Sequence, residues 1–172
     1  MPVNVEIKAM VRDVARLRAR AEVLSGCPGQ EIPQEDTFFR VPHGRLKLRE
    51  LSPGQGELIY YERQDALDPK PSRYLIAGTR EPAALRAVLA AALGARGVVR
   101  KRRLLYRIGE TRLHLDQVEG LGWFLELEVV LAGDQDAARG TVIAAELMEE
   151  LGIAASDLVP CAYIDLLDQQ SG

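Results

Sequence analysis

Val3-Asn4-Val5-Glu6-Ile7-Lys8 alternates strictly between branched aliphatic and polar side chains. Successive side chains of an extended chain point to opposite faces, so Val3, Val5 and Ile7 share one face and Asn4, Glu6 and Lys8 the other. β-Branching at every apolar position favours a strand over a helix. A half-buried strand ordinarily turns its polar face to water. Here that face carries an acid and a base two residues apart. It can instead line a charged cavity, with Glu6 offered to a cation and Lys8 to an anion. The choice rests on whether other strands repeat the pattern.

They do. Arg45-Leu46-Lys47-Leu48-Arg49 sets three cations against leucines, and Leu58 to Arg63 puts Ile59, Tyr61 and Arg63 on one side. Val98 to Ile108 contains Arg100-Lys101-Arg102-Arg103, which alternation divides into an inward Lys101 and Arg103 and an outward Arg100 and Arg102. Arg112, His114 and Asp116 share a face, and Glu126 and Glu128 alternate with Leu125, Leu127 and Val129. Asp36–Val41 and Ser72–Ala77 read as further strands. Helices are expected after Asp13 (Val14, Leu17, Ala21, Leu24) and from Pro82 to Leu93. Another runs from about Asp136 to Leu151, with Val142, Ala145, Leu147 and Leu151 inward. A last short helix is expected from Ser156 and Asp157 to Leu167. His43 lies in the turn Pro42-His43-Gly44.

The expected architecture is α+β: eight antiparallel strands and three main helices in one domain, residues 1–172. Eight such strands can close into a barrel and remove their edges. Helices can cover an aliphatic outside only if the inside is polar, which predicts an inside-out barrel, a tunnel with a charged interior. The order strand, helix, three strands occurs twice, over about residues 3–63 and 72–131. Phe39–Arg49 lies over Tyr106–Asp116 without a gap, matching Arg40 to Arg107 and Arg45 to Arg112.

Bulk properties agree with a globular chain. It has 172 residues, 47% hydrophobic and 27% charged, enough for one domain with a core. No apolar run approaches membrane-spanning length, and the first residues lack the basic and apolar regions of a signal peptide. Cys27 and Cys161 have no metal-type spacing and are expected as reduced thiols of a cytoplasmic protein. Residues 40–107 hold 15 Lys/Arg against 6 Asp/Glu, and residues 108–172 hold 2 against 13. A net charge of −3 and 5% aromatic residues argue against a nucleic-acid groove along Arg100–Arg103, which would need stacking platforms.

Cations converging from several strands suit a polyanion with closely spaced charges, such as a triphosphate. Carboxylates beside it would repel it unless they bind Mg²⁺ or Mn²⁺ between acid and phosphate. No Walker-type loop, HExxH, paired CxxC or GxSxG occurs.

The chain resembles the CYTH domain family, the triphosphate tunnel metalloenzymes that include class IV adenylate cyclases and thiamine triphosphatases. The resemblance rests on Glu6-Ile7-Lys8, Leu48-Arg49, Arg63, Lys101 and Arg103, Leu115-Asp116, and Gly120-Leu121-Gly122 with Phe124 and Glu126. Ala162–Leu167 resembles the closing helix of the cyclase-like branch. It implies an eight-stranded antiparallel tunnel, metal carboxylates at Glu6, Glu126 and Glu128 with Asp116 as a further member, and phosphate-binding cations at Lys8, Lys47, Arg49, Arg63, Lys101 and Arg103. Glu6 and Lys8 are the implied catalytic pair. The implied activity is conversion of ATP to cyclic AMP and pyrophosphate. Hydrolysis of thiamine triphosphate, tripolyphosphate or a nucleoside triphosphate, or binding without turnover, remain open beside it. No membrane partner is implied, and a homodimer is admissible. One departure stands out. The family opens Glu-x-Glu-x-Lys, and here Asn4 occupies the first glutamate position.

Overall fold

The computed structural model describes residues 2–133 and 136–171. Met1 and Gly172, the ends of the expected domain, lie outside the described residues. The strands are β1 (Val3–Met10), β2 (Gln30–Phe39), β3 (Arg45–Ser52), β4 (Gln55–Arg63), β5 (Lys70–Thr79), β6 (Ala95–Ile108), β7 (Thr111–Val118) and β8 (Gly122–Val130). They close into an antiparallel barrel in the order β1-β5-β4-β3-β2-β6-β7-β8. β1 pairs with both β5 and β8, so no strand keeps a free side along its whole length. Four helices, α1 (Val14–Ser25), α2 (Pro82–Leu93), α3 (Ala137–Leu151) and α4 (Tyr163–Ser171), lie outside the sheet.

Alternation decides what faces where. Ile7, Leu113, Leu115, Leu125 and Leu127 point outward and are buried under Leu17 and Ala21 of α1 and Leu147 and Leu151 of α3. Each such leucine contributes roughly 1.5–3 kcal/mol by leaving water. One hydrophobic core therefore lies between barrel and helices; a second gathers Phe38, Val99, Val118 and Phe124, on the same strand faces as the charged residues, against Tyr163 and Ile164 of α4. Asp13 caps α1 by accepting from the Arg16 N–H, and Gly26, at φ 71°, ends it.

Three local expectations change. The buried face of α3 is Gly140, Ala144, Leu147 and Leu151, while Val142 is 46% exposed and Ala145 is also exposed. Gly140 fixes that rotation, because a Cβ there would stand 2.6 Å from Val5. β2 begins at Gln30, not Asp36. Pro33 is tolerated because this part of β2 pairs with β6 alone. The last helix does not run from Ser156. A 3₁₀ turn (Ala155–Asp157) leads into an extended stretch that lies along β1, with Ala9 bridging Leu158 and the Val159 N–H donating to the Lys8 carbonyl. Pro160 prevents a continuous helix, and α4 starts only at Tyr163.

Exchanging β1–β4 for β5–β8 leaves every neighbour pair of the barrel unchanged. The β3–β4 and β7–β8 turns also coincide in the register that lays Phe39–Arg49 on Tyr106–Asp116. This is the connectivity that two related strand-helix-three-strand units would produce.

Candidate active site

The interior encloses a cavity of about 280 Å³. Its wall contains the expected cations Lys8, Lys47, Arg49, Arg63, Lys101 and Arg103, and the expected acids Glu6, Glu126 and Glu128. Arg100 and Arg102 point out to solvent, their side chains 55% and 71% exposed.

The acids gather where β1 meets β8. Register sets Glu6 opposite Glu128 and Lys8 opposite Glu126. The Lys8 Nζ lies 3.3 Å from Glu126 and donates to the Cys161 carbonyl at 3.0 Å. Arg63 bonds Glu6 at 3.0 Å, and Glu128 accepts from the Asn4 amide and from Arg112. Burial pushes the Glu6 carboxyl up against the pull of Arg63, and Glu128 and Glu126 push it further. Burial acts the same way on Glu126, but the charges of Lys8, Arg103 and Lys101 outweigh it and hold that carboxyl well below its usual range.

Opposite them, Asp36 organises the cations. It is 1% exposed, receives two 2.8 Å bonds from Arg49, and stands 3.4 Å from the Lys47 Nζ and 3.5 Å from that of Lys101. One carboxylate thus serves three cations. Burial, with Arg49 beside it, lowers the Lys47 pKa to about 8. Burial, with Arg103 beside it, lowers that of Lys101 to about 7. Sequence reasoning put Asp36 only at a strand end. Its parity with Phe38, which also lines the cavity, was the available signal.

Asp116 is fully buried but does not line the cavity. Arg103 grips it with two 2.8 Å bonds and the Tyr163 hydroxyl donates to it at 2.9 Å. It therefore braces Arg103. Tyr163 also lays its ring beside the Lys8 and Lys101 ammoniums, at 3.9 and 5.0 Å from its centroid, so α4 closes over the cations. In the repeat register, Asp36–Arg49 on β2 and β3 falls on Arg103–Asp116 on β6 and β7: the same bidentate pair with acid and base exchanged.

Two further buried residues stand beside the acids. Lys70, opposite Glu6 on β5, is buried and bonds the Ala66 carbonyl. His114, on the same strand face as Arg112 and Asp116, stands between Glu126 and Glu128 on the facing strand. Burial and Arg103 hold its pKa below the ordinary histidine value.

The acids suit a divalent cation in kind, all being hard oxygen donors. Among the described residues, no three acidic, histidine or cysteine side chains already stand in a ligating cluster, because each glutamate is turned to a cation. Two observations favour the fit. Glu6 carries charge that its surroundings disfavour, and the Oδ1 of Asn4 is buried with no partner. Glu6, Glu126 and Glu128 would hold the ion once they release their present partners.

Among the described residues, no helix is long and apolar enough to cross a membrane. No curated protein matches the chain. Solved structures do. A protein of Pyrococcus horikoshii OT3 is 26% identical over 95% of this chain and 98% of its own, with a TM-score of 0.82. A candidate adenylate cyclase of Vibrio parahaemolyticus is 18% identical over 97% and 98%, at 0.74. Another, from Bacillus halodurans, is 16% identical over 94% and 96%, at 0.58. These last two share the fold. The family model for the CYTH domain matches residues 3–163. With that match spanning nearly the whole tunnel, the chain belongs to the CYTH domain family, whose fold is a metal-dependent triphosphate tunnel.

Proposed function

We propose that this chain is a metal-dependent enzyme acting on a nucleoside or other organic triphosphate, with ATP conversion to cyclic AMP and pyrophosphate as the leading activity. The observation that carries the proposal is the ring of Lys8, Lys47, Arg49, Arg63, Lys101 and Arg103 inside a closed barrel, faced by Glu6, Glu126 and Glu128. Arg49 and Arg103, each braced by a buried aspartate, present fixed forks to phosphate oxygens. Lys47 and Lys101 add point charge. Glu6, Glu126 and Glu128 would hold Mg²⁺ or Mn²⁺, which supplies neutralisation of phosphate charge and polarisation of an attacking hydroxyl. In this reading Glu6 and Lys8 are the catalytic pair: Glu6 as a ligand of the ion that would polarise the hydroxyl, and Lys8, 3.3 Å from Glu126, as positive charge beside it. The reduced state of Cys27 and Cys161 suits a cytoplasmic setting.

Incubation with ATP and Mg²⁺ or Mn²⁺, followed by product analysis, tests this. Cyclic AMP and pyrophosphate support the cyclase, whereas ADP and phosphate would reassign the chain as a triphosphatase. The second reading, binding without turnover, is motivated by Asn4, whose amide ties up Glu128 where a further carboxylate would otherwise stand. Tight tripolyphosphate binding, with no turnover of ATP, thiamine triphosphate or tripolyphosphate, would establish it.

A further inference from the structure

We propose that His114 is a nitrogen ligand of the divalent cation in this tunnel, biasing the site away from Mg²⁺ and towards Mn²⁺ and its transition-metal neighbours. The inference rests on the metal-dependent reading above. His114 projects from β7 as the cross-strand partner of Glu126 and is 5% exposed. Its Nδ1 lies 3.8 Å from the Oε2 of Glu126 and 4.0 Å from that of Glu128. Those separations are too long for hydrogen bonds, and the Nδ1 has no other partner. These atoms from two strands stand near one another without bonding, and the Glu126 Oε2 also lies 3.6 Å from Arg103, which it must release to close on an ion.

Leaving a buried polar nitrogen unsatisfied is unfavourable. A cation shared with the two neighbouring carboxylates relieves this. A second buried acceptor points the same way. The Oδ1 of Asn4 is unpartnered, while its amide holds the Oε1 of Glu128, the oxygen other than the one nearest His114. At Asn4 the chain has one charged oxygen donor fewer than a glutamate would give. His114 restores a donor atom but not the charge. The selectivity follows from that exchange. Mg²⁺ is hard, prefers oxygen and depends on ligand charge, whereas Mn²⁺ and the later divalent metals accept imidazole readily. His114 can fill this role only as the neutral ring with Nδ1 unprotonated, so metal binding fixes its tautomer.

The test adds Mn²⁺ to the purified protein, with and without tripolyphosphate, and reads ¹⁴N hyperfine coupling to the ion by pulsed electron paramagnetic resonance. Wild type should show a directly bound nitrogen that changes to a ¹⁵N pattern when the protein carries ¹⁵N-histidine. His114→Gln and His114→Leu should lose it. Competition between the ions should show the Mn²⁺-over-Mg²⁺ preference falling tenfold or more in both variants. If His114→Leu fails to fold, the labelled wild type and His114→Gln decide the matter alone. Mn²⁺ bound through oxygen only in wild type would overturn this inference and leave the triphosphate reading intact. An unchanged preference in His114→Gln would overturn it equally. Absence of any bound Mn²⁺, even beside tripolyphosphate, would overturn both.

Discussion

Tripolyphosphate binding should take up protons at mildly alkaline pH and hardly any under mildly acidic conditions. Burial, with a neighbouring arginine in each case, sets Lys101 at about 7 and Lys47 at about 8. At about pH 8 the first is then about one-tenth charged and the second about half charged, so a polyanion that restores both ammoniums draws in about 1.4 protons. At about pH 6 both are already charged, and the uptake falls to about 0.1 proton. Calorimetric titration in two buffers of different ionisation enthalpy measures this number directly. The ligand's own protons also contribute, but they cancel between wild type and Lys101→Met, whose uptake at about pH 8 should be smaller by about 0.9. Equal uptake in the two proteins would show that Lys101 is not an alkaline-neutral cation of the site, and the cradle as described would be wrong. The ligand-free protein should respond in the opposite sense. Unfolded lysines titrate near 10.5, so between the folded values and 10.5 the unfolded chain binds more protons and stability rises with pH. Bound tripolyphosphate should flatten that rise.

Arg49→Ala should keep the fold, because Asp36 retains Lys47 and Lys101 at 3.4 and 3.5 Å, yet lose two charge-assisted donors. Tripolyphosphate affinity should fall roughly ten- to a hundredfold, about 1.5–3 kcal/mol, and undiminished affinity would remove Arg49 from the site. Asn4→Glu should tighten Mn²⁺ binding while weakening tripolyphosphate binding in the absence of metal, since the new carboxylate would stand beside Glu128; equal Mn²⁺ affinity would separate residue 4 from the ion. Gly140→Val should lower the unfolding free energy by about 1–3 kcal/mol, as its Cβ would meet Val5 at 2.6 Å, and an unshifted denaturant midpoint would count against the packing of α3 on β1.

Much of this was legible because a strand has a period of two. Glu6 and Lys8, Lys47 and Arg49, Lys101 and Arg103, and Glu126 and Glu128 could each be assigned a face from their own strand. Closure of the barrel then followed from the need to cover aliphatic residues on the other face. What parity could not supply was who meets whom. Asp36 reaches Arg49 through the β2–β3 register, and His114 reaches Glu126 and Glu128 through β7 and β8. Such pairings are properties of two strands, and neither strand alone encodes them. Pro33 concealed the first half of β2, because a residue without an N–H signals a loop until its one-sided pairing is known. On α3, two candidate apolar stripes competed, and the absence of a Cβ at Gly140 selected between them.

The inverted pairs, Asp36–Arg49 and Arg103–Asp116, give the tunnel a sense of direction. The strand order is unchanged when the halves are exchanged, so the frame by itself would receive a three-phosphate chain equally well either way round. Three linked phosphates are nearly symmetrical too, and offer little by which to tell head from tail. The charges break this tie. Carried onward, the register that inverts the pairs sets Glu126 and Glu128 against Ile59 and Tyr61, so these two carboxylates have no acidic equivalent at the matching positions of the other half. A ligand threaded backwards would put a different phosphate beside Glu6. Orientation is therefore written in the side chains that line the bore, together with α4, which closes over the cations and has no counterpart in the other half.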